Sequence, residues 1–113
     1  MPLRKELNPM LFLTYWELNE NVPAGDQNQA AQKLMATGLF PPKNVNILRW
    51  DVTPDNWGIL LGEAESAADI NQALAMWRAA CPGFFKTTKT GPAMPVQESI
   101  PLIANLLKTL AGE

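Results

Sequence analysis

Residues 56–66 read Asn56-Trp57-Gly58-Ile59-Leu60-Leu61-Gly62-Glu63-Ala64-Glu65-Ser66, an apolar run that passes through two glycines into an acidic helix start. The run is too short for a free-standing helix and rich in branched and aromatic residues, so it reads as a central strand feeding a capped helix. Just before it, Thr53-Pro54-Asp55-Asn56 has proline where a type I turn prefers it. Val45-Asn46-Ile47-Leu48-Arg49-Trp50-Asp51-Val52 is then the outgoing arm of a β-hairpin. Just after it, Ser66-Ala67-Ala68-Asp69 resembles a capping box with Asp in place of Glu, and Ile70, Ala73, Leu74, Trp77 and Cys81 form an apolar helical stripe. Pro82-Gly83 ends that helix.

Toward the N-terminus, Met10-Leu11-Phe12-Leu13-Thr14-Tyr15-Trp16-Glu17-Leu18 is a further strand. Leu11, Leu13 and Tyr15 point one way and Phe12, Thr14 and Trp16 the other, so both faces are apolar, as in a strand covered on both sides. A helix over roughly 26–37 follows, with Asp26 or Asn21 as its cap, Ala30, Ala31, Leu34 and Met35 on one side and Gly38 just past its end. Toward the C-terminus, Phe84-Phe85-Lys86-Thr87-Thr88-Lys89-Thr90 has strand composition with interleaved lysines, which blunt a sheet edge. A last helix over 99–111 has Pro101 in its first turn, where the missing N–H costs nothing, and Ile100, Ile103, Leu106, Leu107 and Leu110 on one face. The order β-α-β-β-α-β plus a helix predicts an α+β, ferredoxin-like sandwich: a four-stranded sheet with two helices on one face. The chain reads as a single domain, 1–113, with residues 1–9 a leader, 10–94 the core and 99–111 the C-terminal helix.

Composition bounds the function. The chain has 113 residues, 47% of them hydrophobic and 18% charged, with a net charge of −2 and nine scattered basic residues, so it offers no electrostatic footprint for nucleic acid or an anionic membrane. It has no histidine and one cysteine, Cys81. A His/Cys zinc site, a His-ligated haem and a Ser-His-Asp or Cys-His pair are therefore out of reach of one subunit, and no metal or cofactor is expected. Nothing asks for an oxidising compartment, so a cytoplasmic location is expected. Two helices cover one sheet face only, and an apolar second face calls for a cover. A second copy in a two-fold dimer is the simplest cover, and the C-terminal helix folded back on the sheet is the other.

Met10-Leu11-Phe12-Leu13 opening a strand, Leu61-Gly62-Glu63-Ala64-Glu65-Ser66 closing the third strand into a helix, and Trp77 ahead of Phe84-Phe85-Lys86-Thr87-Thr88 carry a resemblance. Over residues 10 to 98 the chain resembles the dimeric α+β barrel superfamily, and more closely one of its small bacterial families of unknown function. The superfamily includes muconolactone isomerase-like proteins and cofactor-independent antibiotic-biosynthesis monooxygenases. The resemblance implies a pocket between sheet and helices. Haem-binding members that use a histidine find no counterpart here.

The candidate ligand-binding residues are Trp16, Trp50 and Trp77, which can line a pocket for an aromatic molecule, and Arg49, which can anchor a carboxylate or phenolate. Core packing and an ion pair are the alternatives for these residues. Glu63 and Tyr15 are candidate catalytic groups for moving a proton. An unbulged four-residue turn would pair Val52 with Trp57. It would put Trp50, Ile59 and Glu63 on one face and Arg49, Leu60 and Gly62 on the other; one bulge reverses this. Gly58 and Gly62 share a face and let a helix or ligand approach the backbone closely. Three functions stay open: binding a small apolar or aromatic molecule, a cofactor-free monooxygenase or isomerase, and an interaction module with no pocket. An enzyme predicts a carboxylate in the pocket; a binder predicts the pocket without it.

Overall fold

The computed structural model describes residues 9–112. The expected leader therefore lies, apart from Pro9, outside the described residues. The elements are β1 (Met10–Leu18), α1 (Ala24–Ala36), β2 (Asn46–Val52), β3 (Trp57–Ala64), α2 (Ala67–Ala80), β4 (Phe85–Pro92) and α3 (Val96–Leu110). The strands form one antiparallel sheet in the order β2-β3-β1-β4, so the expected ferredoxin-like arrangement stands and β4 is an edge.

Local chemistry sets the boundaries. Ser66 caps α2, its Oγ accepting from the Asp69 amide at 3.4 Å and donating to Asp69 Oδ2 at 3.2 Å. α1 begins earlier than expected: Pro23 stands at its cap with no side-chain hydrogen bond, and Asp26 lies in the first turn, where its charge suits the helix dipole. Gly38, at φ +71, turns the chain out of α1 as the sequence indicated. β4 runs on through Gly91 and Pro92, two residues past the expected break.

The β2-β3 register differs from the unbulged expectation. Val52 pairs with Gly58, Asp51 with Ile59, Trp50 with Leu60 and Arg49 with Leu61. Asn56 adopts the left-handed conformation at φ 62, which Asn tolerates, and the Thr53 amide donates to the Trp57 carbonyl at 2.7 Å. The loop is therefore a three-residue connection, Pro54-Asp55-Asn56, of the type I turn plus left-handed residue kind. One residue of slip moves Trp50 to the face of Leu60 and Gly62, and Arg49 to the face of Ile59, Leu61 and Glu63. A bulge at Leu48 then shifts the register again, pairing Ile47 with Gly62.

The helix-covered face holds the core. Phe12, Thr14 and Trp16 of β1 are buried, while Leu11, Leu13 and Tyr15 are not; Phe12 packs in a cluster with Val45, Ala64 and Ile70, and Leu34, Ala73, Trp77 and Phe84 belong to a second. Buried Thr14 shares a hydroxyl hydrogen bond of 3.0 Å with Thr90 across the β1-β4 pair, so its polar atom is satisfied.

The close approach falls at Gly58 alone. A Cβ there would meet the Asp51 carbonyl and come within 2.6 Å of Trp16 Cζ2, whereas one at Gly62 would make ordinary contacts at 3.4–3.5 Å. The partner at Gly58 is an indole and a neighbouring strand, not a helix.

The C-terminal helix departs most from expectation. It begins at Val96, so Pro101 sits in its second turn and removes an interior backbone bond instead of occupying the first turn. None of its residues is buried, so it does not fold back over the sheet.

Candidate functional site

Between the helix-covered sheet face and the two helices lies a cavity of about 380 Å³. Its floor is Thr14, Trp16 and Leu18 of β1, Ile47 and Trp50 of β2, and Leu60 of β3. α1 contributes Ala24, Gln27, Asn28, Ala31 and Met35; α2 contributes Ile70, Ala73, Leu74 and Trp77. Phe40, Val45, Phe84 and Phe85 close the remaining wall. That size falls in the range of small-molecule sites, which are mostly apolar with few polar groups.

Aromatic rings dominate the lining. Phe40 lies 5.2 Å from both Trp50 and Trp77, Trp50 lies 5.7 Å from Trp77, Trp77 5.0 Å from Phe84, and Phe84 4.9 Å from Phe85. These spacings and tilts suit the ring quadrupoles and hold the wall in a defined shape. Trp77 is 5% exposed and Trp50 39%, so the cluster runs from the core to the rim of the cavity.

Among the described residues, no titratable side chain lines the cavity. Its polar side chains are Thr14, already bonded to Thr90, the amides of Gln27 and Asn28, and the indoles of Trp16, Trp50 and Trp77. Gln27 donates to the Asn19 carbonyl at 3.0 Å. Trp16 Nε1 is buried without an acceptor, the one such side-chain atom found among the described residues.

Three of the four residues expected at a ligand site thus line one cavity, Trp16 and Trp50 from its floor and Trp77 from α2. Arg49 is on the opposite face of the sheet. Its Nε donates to Asp51 Oδ2 at 2.6 Å, and both side chains are well exposed. That hydrogen bond, together with the Asp51 charge, holds the guanidinium above its ordinary pKa. The expected proton-moving groups are on that same far face. Tyr15 donates to Glu17 Oε1 at 3.0 Å, and this bond, with some desolvation and the Glu17 charge, raises the phenol above its usual value. Glu63 accepts from the Asn46 side-chain amide at 3.1 Å. The displacement of Arg49 follows from the one-residue slip at the hairpin, which its sequence does not announce.

Several cavity residues carried a weaker signal. Phe40 stands in a loop ahead of Pro41-Pro42, where a large aromatic has no reason to be unless it packs inward. Ile47, Leu60 and Phe85 become cavity residues only once the register is known.

The far face has its own pattern. Leu13 and Ile59 are 43% and 41% exposed, and the Tyr15 ring packs 5.8 Å from Trp57. This apolar strip along β1 and β3 is flanked by Arg49 and Asp51 on β2 and by Lys89 on β4. An apolar centre with a charged rim is the anatomy of a protein interface.

Residues 10–107 match the family described as domain of unknown function DUF3303, and the chain belongs to that family. No curated protein matches the sequence. Among solved structures, the chain is similar to a protein from Bacteriodes thetaiotaomicron VPI-5482 named as an antibiotic biosynthesis monooxygenase. The identity is 12% and the TM-score 0.54, over 78% of this chain and 90% of that one. It is also similar to PA3566 from Pseudomonas aeruginosa, at 9% identity and a TM-score of 0.45, over 78% of this chain and 94% of that one. At 12% identity the first likeness speaks to the fold alone.

Proposed function

We propose that this member of the DUF3303 family binds an uncharged apolar or aromatic small molecule in the cavity between sheet and helices. The observation that carries the reading is a cavity of about 380 Å³ walled by aromatic rings and, among the described residues, lined by no ionisable group. A charged ligand would lose its hydration there and gain no counter-ion, so the lining selects against it by several kcal/mol. Trp16, Trp50 and Trp77 are the ligand-contacting residues in this reading.

The wider account is of a cytoplasmic homodimer joined through the open sheet face, where the strip of Leu13, Tyr15, Trp57 and Ile59 supplies the apolar centre. No helix among the described residues is long and apolar enough to cross a membrane.

The neighbour named as a monooxygenase brings a second reading, a cofactor-free enzyme with Arg49 positioning substrate and Glu63 or Tyr15 moving a proton. Those three side chains stand across the sheet from the cavity. General acid or base catalysis needs the group within hydrogen-bond reach of its proton, so binding is the better-supported reading.

Calorimetric titration with naphthalene and with 2-naphthoate separates the possibilities. The account expects naphthalene to bind with a dissociation constant in the micromolar range and 2-naphthoate at least tenfold more weakly. Tighter binding of the anion, or no binding of either, would overturn it.

A further inference from the structure

We propose that α3 is an arm exchanged between two copies of this chain, its apolar face packed against the partner protomer. The inference rests on the homodimer proposed above and adds the segment that completes its interface.

The sequence of α3 makes a broad apolar face. Val96, Ile100, Ile103, Leu107 and Leu110 follow at steps of four and three residues, and Leu102 and Leu106 widen the stripe to nearly half the circumference. A helix of this breadth is built to lie on a core or a sheet, since a narrow coiled-coil seam needs only the first five. Yet these seven side chains are 53–83% exposed and none is buried. The Ala93 amide donates to the Leu11 carbonyl at 2.8 Å, which pins the chain to β1 just past β4. Only Met94 and Pro95 separate that anchor from the helix, and Pro95 is extended at φ −58, ψ 142. The connection thus directs α3 away from its own protomer. The radius of gyration of 17.9 Å, with a longest extent of 60 Å, records this, against about 13 Å for a compact domain of this length.

A second copy is the occupant the surface fits. The polar side of α3 carries one acid, Glu98, and one base, Lys108, so nothing draws it to an anionic membrane. The chain already owns a second uncovered apolar surface, the strip on the far sheet face, and both surfaces find a cover in one two-fold assembly. Area points the same way. The sheet strip offers only a few side chains less than half exposed, such as Leu13, Trp57 and Ile59, whereas the seven of the α3 stripe, 53–83% exposed, bring the apolar surface toward the ~800 Å² per partner of a stable interface. Each protomer then gives one arm and receives one.

Sedimentation velocity of the full chain, wild type and single variants, tests the proposal. Wild type is expected as a dimer. Leu107→Glu, and Leu110→Glu at the most exposed position of the stripe, are expected to raise the dimer dissociation constant at least 100-fold with unchanged far-ultraviolet circular dichroism, because no residue of α3 is buried in its own protomer. Asn105→Glu, on the polar side, is expected to leave the dimer intact. If Leu13→Lys dissociates the dimer while Leu107→Glu and Leu110→Glu do not, the arm is wrong and the sheet-face dimer stands. A monomeric wild type removes both, and co-sedimentation of wild type with phosphatidylcholine vesicles would assign the stripe to lipid and overturn the arm.

Discussion

The two faces of the sheet are built from alternate residues of the same strands, and they put similar apolar content to opposite uses. On the helix-covered face, Phe12, Thr14 and Trp16 are buried, the rings of Phe40, Trp50, Trp77 and Phe84 form a continuous wall, and the Arg78 guanidinium stays exposed, 5.5 Å over the Phe85 ring and donating to Thr88. On the open face, Leu13, Trp57 and Ile59 stay more than a third exposed, among Tyr15, Arg49, Asp51 and Glu63. The covered face encloses a space, which suits the proposed small-molecule site. The open face has an apolar centre and a charged rim, which suits the proposed contact with another surface. Aromatic content alone would not separate these roles; the placement of charge does.

Substitutions that act on one face and spare the other break or sharpen this contrast. The largest effect is expected from Trp77→Ala, which removes a ring 5% exposed at the junction of core and cavity. It should cost about 3–5 kcal/mol in denaturant unfolding and abolish naphthalene binding. Gly58→Ala comes next, since its methyl has no room beside the Asp51 carbonyl and the Trp16 ring. A loss of about 1–3 kcal/mol is expected in the same measurement, and a neutral result would mean that the sheet yields at this point. On the open face, Leu13→Lys should change the protomer's stability by no more than about 0.5 kcal/mol while dissociating the dimer in sedimentation. Loss of folding instead would make that face part of the protomer's own core.

The smallest effects are those of the exposed polar pairs. Arg49→Ala removes an ion pair whose side chains are 74% and 58% exposed, so no measurable change in stability is expected, with naphthalene affinity unaltered. A clear loss of affinity would return Arg49 to the ligand site. Tyr15 titrates above its ordinary 10.0 in the folded chain, so the unfolded chain releases this proton first. Its contribution is complete below about pH 10 and is lost as pH rises through the folded value. Tyr15→Phe should flatten stability against pH in that window, and an unchanged slope would show that the bond to Glu17 does not persist in solution.

The sequence made the architecture legible where alternation and capping agree. Phe12, Thr14 and Trp16 announce one face of β1 and Leu11, Leu13 and Tyr15 the other, and Ser66 with Asp69 marks the start of α2. The three tryptophans of the cavity were visible as candidates because large rings in a small domain must fill space. The face of Arg49 stays open in the sequence because facing depends on register, and register here turns on a left-handed Asn56 and a bulge at Leu48. Neither leaves a periodic trace in composition. α3 starts at Val96, ahead of the expected 99, because Pro95 stands at its cap, and a proline at 101 fits a first turn well enough to hide the residues ahead of it. Exposure of that helix is a tertiary fact, and its apolar stripe reads the same whether the cover is its own sheet or a partner.

A crystal structure of the protein grown with naphthalene tests the central claim most directly. Ligand density is expected within van der Waals reach of Trp16, Trp50 and Trp77, with Arg49 still paired to Asp51 across the sheet. Density on the open face beside Tyr15 and Ile59, with the cavity collapsed onto Met35 and Trp50, would contradict it.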